Sequence, residues 1–232
     1  MKKKIDIRQL SLDNLTDEII KLGEKPYRAK QIHDWLWKKR AINFDQMTNL
    51  SKSLRKLVED NFIINALVLS EAQVSKDRTI KNAFLLADDA VIEGVLIPTK
   101  KRMTACVSVQ VGCSLDCAFC ATGRLKRIRN LNADEIYDQV VMINDQSKKE
   151  YNLPISNIVY MGMGEPLLNY SNVLKSVERI TSENGLGMSP KRITISTAGI
   201  HKKIIRLADD GVKFNLALSL HAANDEKRNK IM

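Results

Sequence analysis

The sequence has no apolar run approaching the roughly 20 residues that a membrane-spanning helix needs, so a membrane protein is not expected. Its start, Met1-Lys-Lys-Lys-Ile-Asp-Ile-Arg-Gln-Leu10, is charged with no apolar stretch behind it, and no secretory signal is expected. Internal repeats and low-complexity tracts are absent. Cysteine is scarce, with 4 in 232 residues. Three of the four lie between Cys113 and Cys120 and the fourth, Cys106, sits just upstream, so a dispersed disulfide framework is excluded. The expectation is a cytoplasmic protein with a metal or redox site. Hydrophobic residues at 44% and charged residues at 28% exclude disorder and collagen-like composition.

What is abundant is positive charge, +10 overall. The excess is spread out, since residues 1–60 carry 14 basic against 9 acidic side chains. A diffuse surplus suits a polyanionic partner without proving one. One run is concentrated: Arg124-Leu-Lys-Arg-Ile-Arg129 places four cations in six residues just after Cys120. It reads either as a solvated face or, from its position beside a candidate metal site, as a contact for the anionic groups of a substrate through Lys126, Arg127 and Arg129.

The first third has helical periodicity. Leu12, Leu15, Ile19 and Leu22 form one apolar stripe, stopped at Gly23; Ile32, Trp35 and Leu36 form a second; Leu50, Leu54, Leu57 and Val58 mark a third. At least one of Trp35 and Trp37 is expected in the core. Residues 1–65 are therefore expected to be a small helical domain. Residues 66–100 turn to short β-like runs, such as Ala83–Ala87 and Val91–Ile97, and are expected to be a β connection.

From 101 to 232 strands and helices alternate. The strands are expected at Thr104–Val111, Asn157–Met163, Arg192–Thr197 and Lys213–His221, and the helices at Ala133–Gln146, Asn169–Asn184 and His201–Asp210. That order implies an α/β fold with a parallel sheet. The strands alternate apolar and polar residues instead of running apolar throughout. Val107, Val109 and Val111 alternate with Cys106, Ser108 and Gln110; Ile193 and Ile195 alternate with Thr194 and Ser196; Phe214, Leu216, Leu218 and Leu220 alternate with Asn215, Ala217, Ser219 and His221. One face packing under helices while the other lines a functional lumen explains the pattern, as in a partial (β/α) barrel of four strands. Four strands leave an unpaired edge, so a fragment of a longer protein is expected.

Cys113-Ser-Leu-Asp-Cys117-Ala-Phe-Cys120 is a C-x3-C-x2-C triplet following a strand. Three thiolates on one loop suit an iron–sulfur cluster with one open iron. A bacterial-ferredoxin run would be C-x2-C-x2-C with a fourth cysteine. A structural zinc site would want a fourth ligand at standard spacing, and His33, His201 and His221 are all remote. Cys106 has two bland readings: a buried inert thiol, or a fourth cluster ligand.

With Phe119 before its last cysteine, the triplet resembles the signature of radical S-adenosylmethionine enzymes. The flanking motifs resemble one family of them, the RlmN family of RNA adenine carbon-2 methyltransferases: Ala105-Cys-Val-Ser-Val-Gln-Val-Gly-Cys113, Met161-Gly-Met-Gly-Glu-Pro166, Ile195-Ser-Thr-Ala-Gly199 and Leu218-Ser-Leu-His-Ala222. Lys25-Pro-Tyr-Arg-Ala-Lys-Gln-Ile32 with Trp35-Leu-Trp37 resembles that family's N-terminal helical domain. The motifs extend over the whole chain in the right order. Glu165-Pro166 leans away from the related carbon-8 family, Cfr. A non-catalytic iron–sulfur or zinc module that binds nucleic acid is the competing class.

The resemblance implies the fold of a partial radical-SAM barrel and two cofactors, a 4Fe-4S cluster and S-adenosyl-L-methionine. Cys113, Cys117 and Cys120 would hold the cluster. Gly164, Glu165, Ser196, Ser219, Leu220 and His221 would contact S-adenosylmethionine, and Gly162 and Gly164 would let the main chain approach it closely. One electron, from a donor such as flavodoxin or ferredoxin, would cleave it to a 5′-deoxyadenosyl radical. The substrate implied is ribosomal RNA, and transfer RNA too. Glu93 would accept the proton of the base carbon, and Cys106 would release the covalent enzyme–RNA adduct by thiol–disulfide chemistry. The methyl-carrying cysteine and a cofactor-binding Asn of the family belong to a C-terminal part that this sequence does not include. The fragment by itself is therefore not expected to be active.

Overall fold

The computed structural model describes residues 4–232; Met1, Lys2 and Lys3 of the charged start lie outside them. Two compact units divide the chain, the first running through Ala66 and taking in residues 182–187, the second formed by 67–181 and 188–232.

In the first unit, β1 (Ile5–Asp6) pairs in parallel with β2 (Phe62–Ile63). Between them come α1 (Leu12–Lys21), α2 (Tyr27–Trp37) and α3 (Lys52–Asn61). α1 and α3 begin where a serine caps them: Ser11 Oγ accepts from the Asn14 N–H and Ser51 Oγ from the Leu54 N–H, each at 3.1 Å. The expected stripes are buried through Leu15, Ile19, Ile32, Leu36, Leu54 and Val58, and Trp37 joins that core. Trp35 instead donates to Asn49, with Lys39 Nζ 3.8 Å over its ring.

The second unit is built on one seven-stranded sheet. Its antiparallel part is β3 (Val68–Val74), β4 (Ile80–Leu85) and β5 (Val91–Pro98). β5 pairs antiparallel with β6 (Met103–Cys106), which opens the parallel part. A short hairpin, β7 (Gln110–Val111) with β8 (Arg129–Asn130), then carries the cysteine loop. α4 (Ala133–Tyr151), β9 (Asn157–Tyr160), α5 (Tyr170–Thr181), β10 (Ile193–Thr197), α6 (His201–Asp209), β11 (Asn215–Leu218) and α7 (Asp225–Asn229) follow. The spatial order β6-β9-β10-β11 is a four-stranded parallel arc, a partial (β/α) barrel.

The alternation places residues as expected over most of the arc. Registers put Ala105, Ile158 and Ile193 on one face and Cys106, Val159 and Thr194 on the other. The first set is fully buried under the helices. Ser196 and Ala217 continue the second face. At β11 the pattern departs from expectation: Leu216 and Leu218 lie in register with the buried Ile195 and Thr197 yet are 43% and 52% exposed. β11 is the outer strand of the sheet, so nothing in residues 4–232 covers its apolar side.

Candidate active site

A cavity of about 300 Å3 opens at the carboxyl ends of the parallel strands, where open α/β sheets bind ligands. The route of the chain into this rim differs from the strand expected at Thr104–Val111. β6 ends at Cys106; the Val107 N–H still reaches Val159 O at 3.0 Å, but those of Val109 and Gln110 turn to Met163 O. The cause is a close crossing. A Cβ on Gly162 would lie 2.8 Å from the Val107 carbonyl and 2.7 Å from Ser108 Oγ. Two main chains can meet there only because residue 162 has no side chain.

Ser108 and Gln110 therefore do not line a lumen beside Cys106. Both are fully buried. Ser108 Oγ donates to Glu93 O at 2.5 Å and accepts from the Met163 N–H at 2.8 Å. Gln110 Oε1 accepts from the Glu165 N–H at 3.0 Å while its amide donates to Asn130 Oδ1 at 2.8 Å. A Cβ on Gly164 would sit 2.5 Å from Gln110 Cβ, and its φ of +96° is itself a glycine conformation. The two glycines expected to make room for a ligand thus make room for the protein's own side chains and main chain.

The cysteine loop forms one wall of the cavity through Cys113, Cys117, Phe119 and Cys120. Gly162, Gly164 and Glu165 form a second. Glu165 is buried and fully engaged: Oε1 accepts from the Leu167 N–H at 3.0 Å and the Thr197 hydroxyl at 2.7 Å, and Oε2 from the Ala198 N–H at 2.8 Å. Its carboxylate ties the turn after β9 to the end of β10. Ser196, Ser219 and His221 form the third wall. The two hydroxyls are 3.2 Å apart, and His221, in the left-handed region at φ 56°, sets its ring 4.3 Å from that of Phe119. Leu220 is half-exposed and its side chain is not part of the wall.

Cys106 lies beside the cavity, not in it. It is buried, its sulfur accepts from the N–H of the cavity residue Met161, and burial pushes its thiol up to about 11. Glu93 shares its face of the sheet, because Cys106 pairs with Val95 and Glu93 is two residues along β5. The Glu93 carboxylate is half-exposed and 3.1 Å from Lys81 Nζ.

Sequence reasoning missed Met161, Thr197 and the segment after β11. That segment closes on the site: the Ala118 N–H donates to Ile231 O at 2.8 Å, Met232 lines the cavity, and Arg228 donates to Ala198 O. Within a polar, charged stretch nothing marks Arg228 as different. Arg129 was misassigned as a contact for the anionic groups of a substrate. Its guanidinium is bidentate to both Glu135 and Asp88, at 2.6–3.0 Å, which holds Asp88 below the usual carboxylate range.

The donor set fits an iron–sulfur cluster. All four cysteines are free thiols, and three of them face one cavity from one loop. Burial raises the thiols of Cys113 and Cys117, and the charge of neighbouring thiolates adds to it. Bound iron reverses that effect by supplying positive charge. Among the described residues no three His, Cys, Asp or Glu side chains surround a single-ion position; the thiolates of a four-iron cluster each hold a separate iron and need no such point.

Comparisons with known proteins agree with this arrangement. Residues 5–64 match the family model described as the ribosomal RNA large subunit methyltransferase N-terminal domain, and residues 107–232 match the Radical SAM superfamily. A probable dual-specificity RNA methyltransferase RlmN of Cytophaga hutchinsonii is 59% identical over 99% of this chain and 63% of its own length. The protein of the same description from Christiangramia forsetii is 58% identical over 99% of this chain and 65% of its own. A crystal structure of a radical SAM methyltransferase from Sphaerobacter thermophilus superposes with a TM-score of 0.87 at 38% identity, covering 98% of this chain and 67% of that one. The chain belongs to the radical SAM superfamily and, within it, to the RlmN family. It spans a little under two thirds of the length of these curated relatives. Membership carries the superfamily's two cofactors, a 4Fe-4S cluster and S-adenosylmethionine.

Proposed function

We propose that the protein to which this chain contributes methylates carbon 2 of an adenine in ribosomal RNA, and in transfer RNA, by radical chemistry in the cytoplasm. The observation that carries this reading is the placement of Cys106 against Met161 of a cavity walled by three free thiols, with Glu93 on the same sheet face as Cys106. When bound, the cluster and S-adenosylmethionine supply the carbon radical and the methyl group. Cys113, Cys117 and Cys120 hold the cluster. Gly164, Glu165, Ser196, Ser219, Leu220 and His221 orient the cofactor, with the Gly164–Glu165 turn and Leu220 acting through the main chain.

Glu93 takes the proton from the base carbon; its carboxylate lies 3.1 Å from Lys81 Nζ. Cys106 attacks the sulfur of the methyl-carrying cysteine, which lies in a part of the protein outside this chain: the S–S bond forms as the bond from that sulfur to the base-linked CH2 breaks, and the released carbon takes up a proton to become the methyl group. Because burial keeps Cys106 as the neutral thiol, it must lose its proton at the moment of attack. That guards it against premature oxidation. Residues 1–65 form an accessory part that engages RNA, residues 66–100 connect it to the barrel, and the barrel begins near 101.

The test is product mapping. The full-length protein, reconstituted anaerobically with iron and sulfide, is given RNA and S-adenosylmethionine, and the digested nucleosides are separated by mass. 2-Methyladenosine is expected. 8-Methyladenosine would move the protein to the carbon-8 class. No methylated base, with no change of the reduced-cluster spectrum on adding S-adenosylmethionine, would make it a binding module.

A further inference from the structure

The segment Arg124–Ile128 is exposed throughout, with Leu125 at 53% and Ile128 at 72%. Among the described residues Arg124, Lys126 and Arg127 have no acidic side chain within ion-pair distance. The backbone of this segment lies against a cluster ligand. The Cys113 N–H donates to Leu125 O at 3.2 Å, Lys126 bridges to Cys113, and a Cβ on Gly112 would be 2.3 Å from Lys126 O. None of the five residues lines the cavity, so the surface they form is separate from the opening through which a substrate base reaches the cofactors.

We propose that this patch is the docking surface for a small acidic electron-carrier protein. The inference rests on the radical SAM reading above and adds to it the route by which the cluster is reduced. Three features favour a protein over RNA here. Two exposed aliphatic tips among three unpaired cations make an apolar centre with a charged rim, as protein interfaces have. There is no aromatic ring in the segment on which a base would stack. The main chain beneath the patch touches Cys113 directly, so a carrier seated there is one residue from a cluster ligand. One electron leaves the carrier's reduced flavin or iron–sulfur group and enters the cluster; no atom is transferred, and the carrier departs oxidised by one electron.

The experiment uses the full-length, cluster-loaded protein and a flavodoxin in its two-electron-reduced form. K126E/R127E is compared with the unchanged protein, and L125S/I128S is a second, charge-neutral variant. Carrier affinity and the rate of cluster bleaching are measured at low and moderate salt, beside bleaching by dithionite and binding of an RNA fragment. The charge-reversed variant is expected to lose at least tenfold in affinity and in bleaching rate, with most of the salt dependence gone. L125S/I128S is expected to lose several-fold at all salt concentrations. Dithionite reduction and RNA affinity are expected to stay unchanged. Weakened RNA binding with normal bleaching by flavodoxin would assign the patch to RNA; no change in either would return it to a solvated face. If dithionite bleaches the cluster but S-adenosylmethionine leaves its spectrum unaltered, the radical SAM reading fails instead, irrespective of the patch.

Discussion

The cysteine loop and the strand that precedes it carry the same functional group in opposite settings. Cys113, Cys117 and Cys120 are half-buried on a loop held by main-chain hydrogen bonds and by the contact of the Phe119 ring with His221. Cys106 is locked in a paired strand, buried, and held by the Met161 N–H. A loop can adjust its sulfurs to a cluster at small cost, whereas a strand fixes one sulfur against the sheet and keeps it protonated. The difference teaches that position in the fold, more than residue type, assigns the chemistry.

The comparison can be broken most decisively by removing thiols. Cys113→Ala, Cys117→Ala or Cys120→Ala is expected to abolish the visible thiolate-to-iron absorption of the reconstituted protein, and Cys106→Ala to retain it. Equal loss in all four would make Cys106 a ligand.

A second test concerns the turn at Gly164, which packs against Gln110 and is tied to β10 through Glu165. Gly164→Ala combines a 2.5 Å clash with a φ of +96°, and is expected to cost about 3 kcal/mol or more in chemical denaturation. Gly211→Ala has a φ of +60° but nothing within 4 Å of the new Cβ, and should cost only about 1–2 kcal/mol. Equal costs would mean that the turn yields.

The pH dependence follows from the Cys106 thiol, raised from 9.0 to about 11. Between these values the folded state binds more protons than the unfolded chain, so this group's contribution is fully present below pH 9 and is lost towards pH 11. Its size is about 2–3 kcal/mol, from about 1.4 kcal/mol per pKa unit. Unfolding free energies of the parent and Cys106→Ala, measured across that range, should change by that difference. Parallel curves would mean that Cys106 is not buried in the folded protein.

A smaller effect separates the two kinds of basic residue after the loop. Arg129→Ala leaves Glu135, 7% exposed, without its partner, and should cost about 2 kcal/mol. Lys126→Ala and Arg127→Ala should each stay within about 0.5 kcal/mol of the parent. A similar cost for all three would undo the distinction.

Much of this was legible in the sequence where pattern and fold share a period. The helical stripes through Ile19, Ile32 and Val58 and the strand parity of Ile193, Ile195 and Ser196 survive intact, because each depends only on neighbours along its own element. Ser108 and Gln110 were misread because the chain leaves the ladder after Cys106, forced by a crossing with Gly162 that comes 56 residues later. That glycine was visible, but not what it would meet. Arg129 looked like its basic neighbours, since Asp88 lies 41 residues away. The cluster triplet was readable because all its ligands sit on one loop, while the Glu165 tie to Thr197 and Ala198 joins two elements.

The central claim is that Cys106 resolves the adduct and does not build the cluster. Its most direct test is to purify full-length Cys106→Ala protein with cellular RNA and run it on a denaturing gel with and without nuclease. The account predicts normal cluster content and a band of reduced mobility that nuclease removes, the RNA having stayed joined to the methyl-carrying cysteine. No such band, with cluster content and cofactor cleavage both normal, would contradict it.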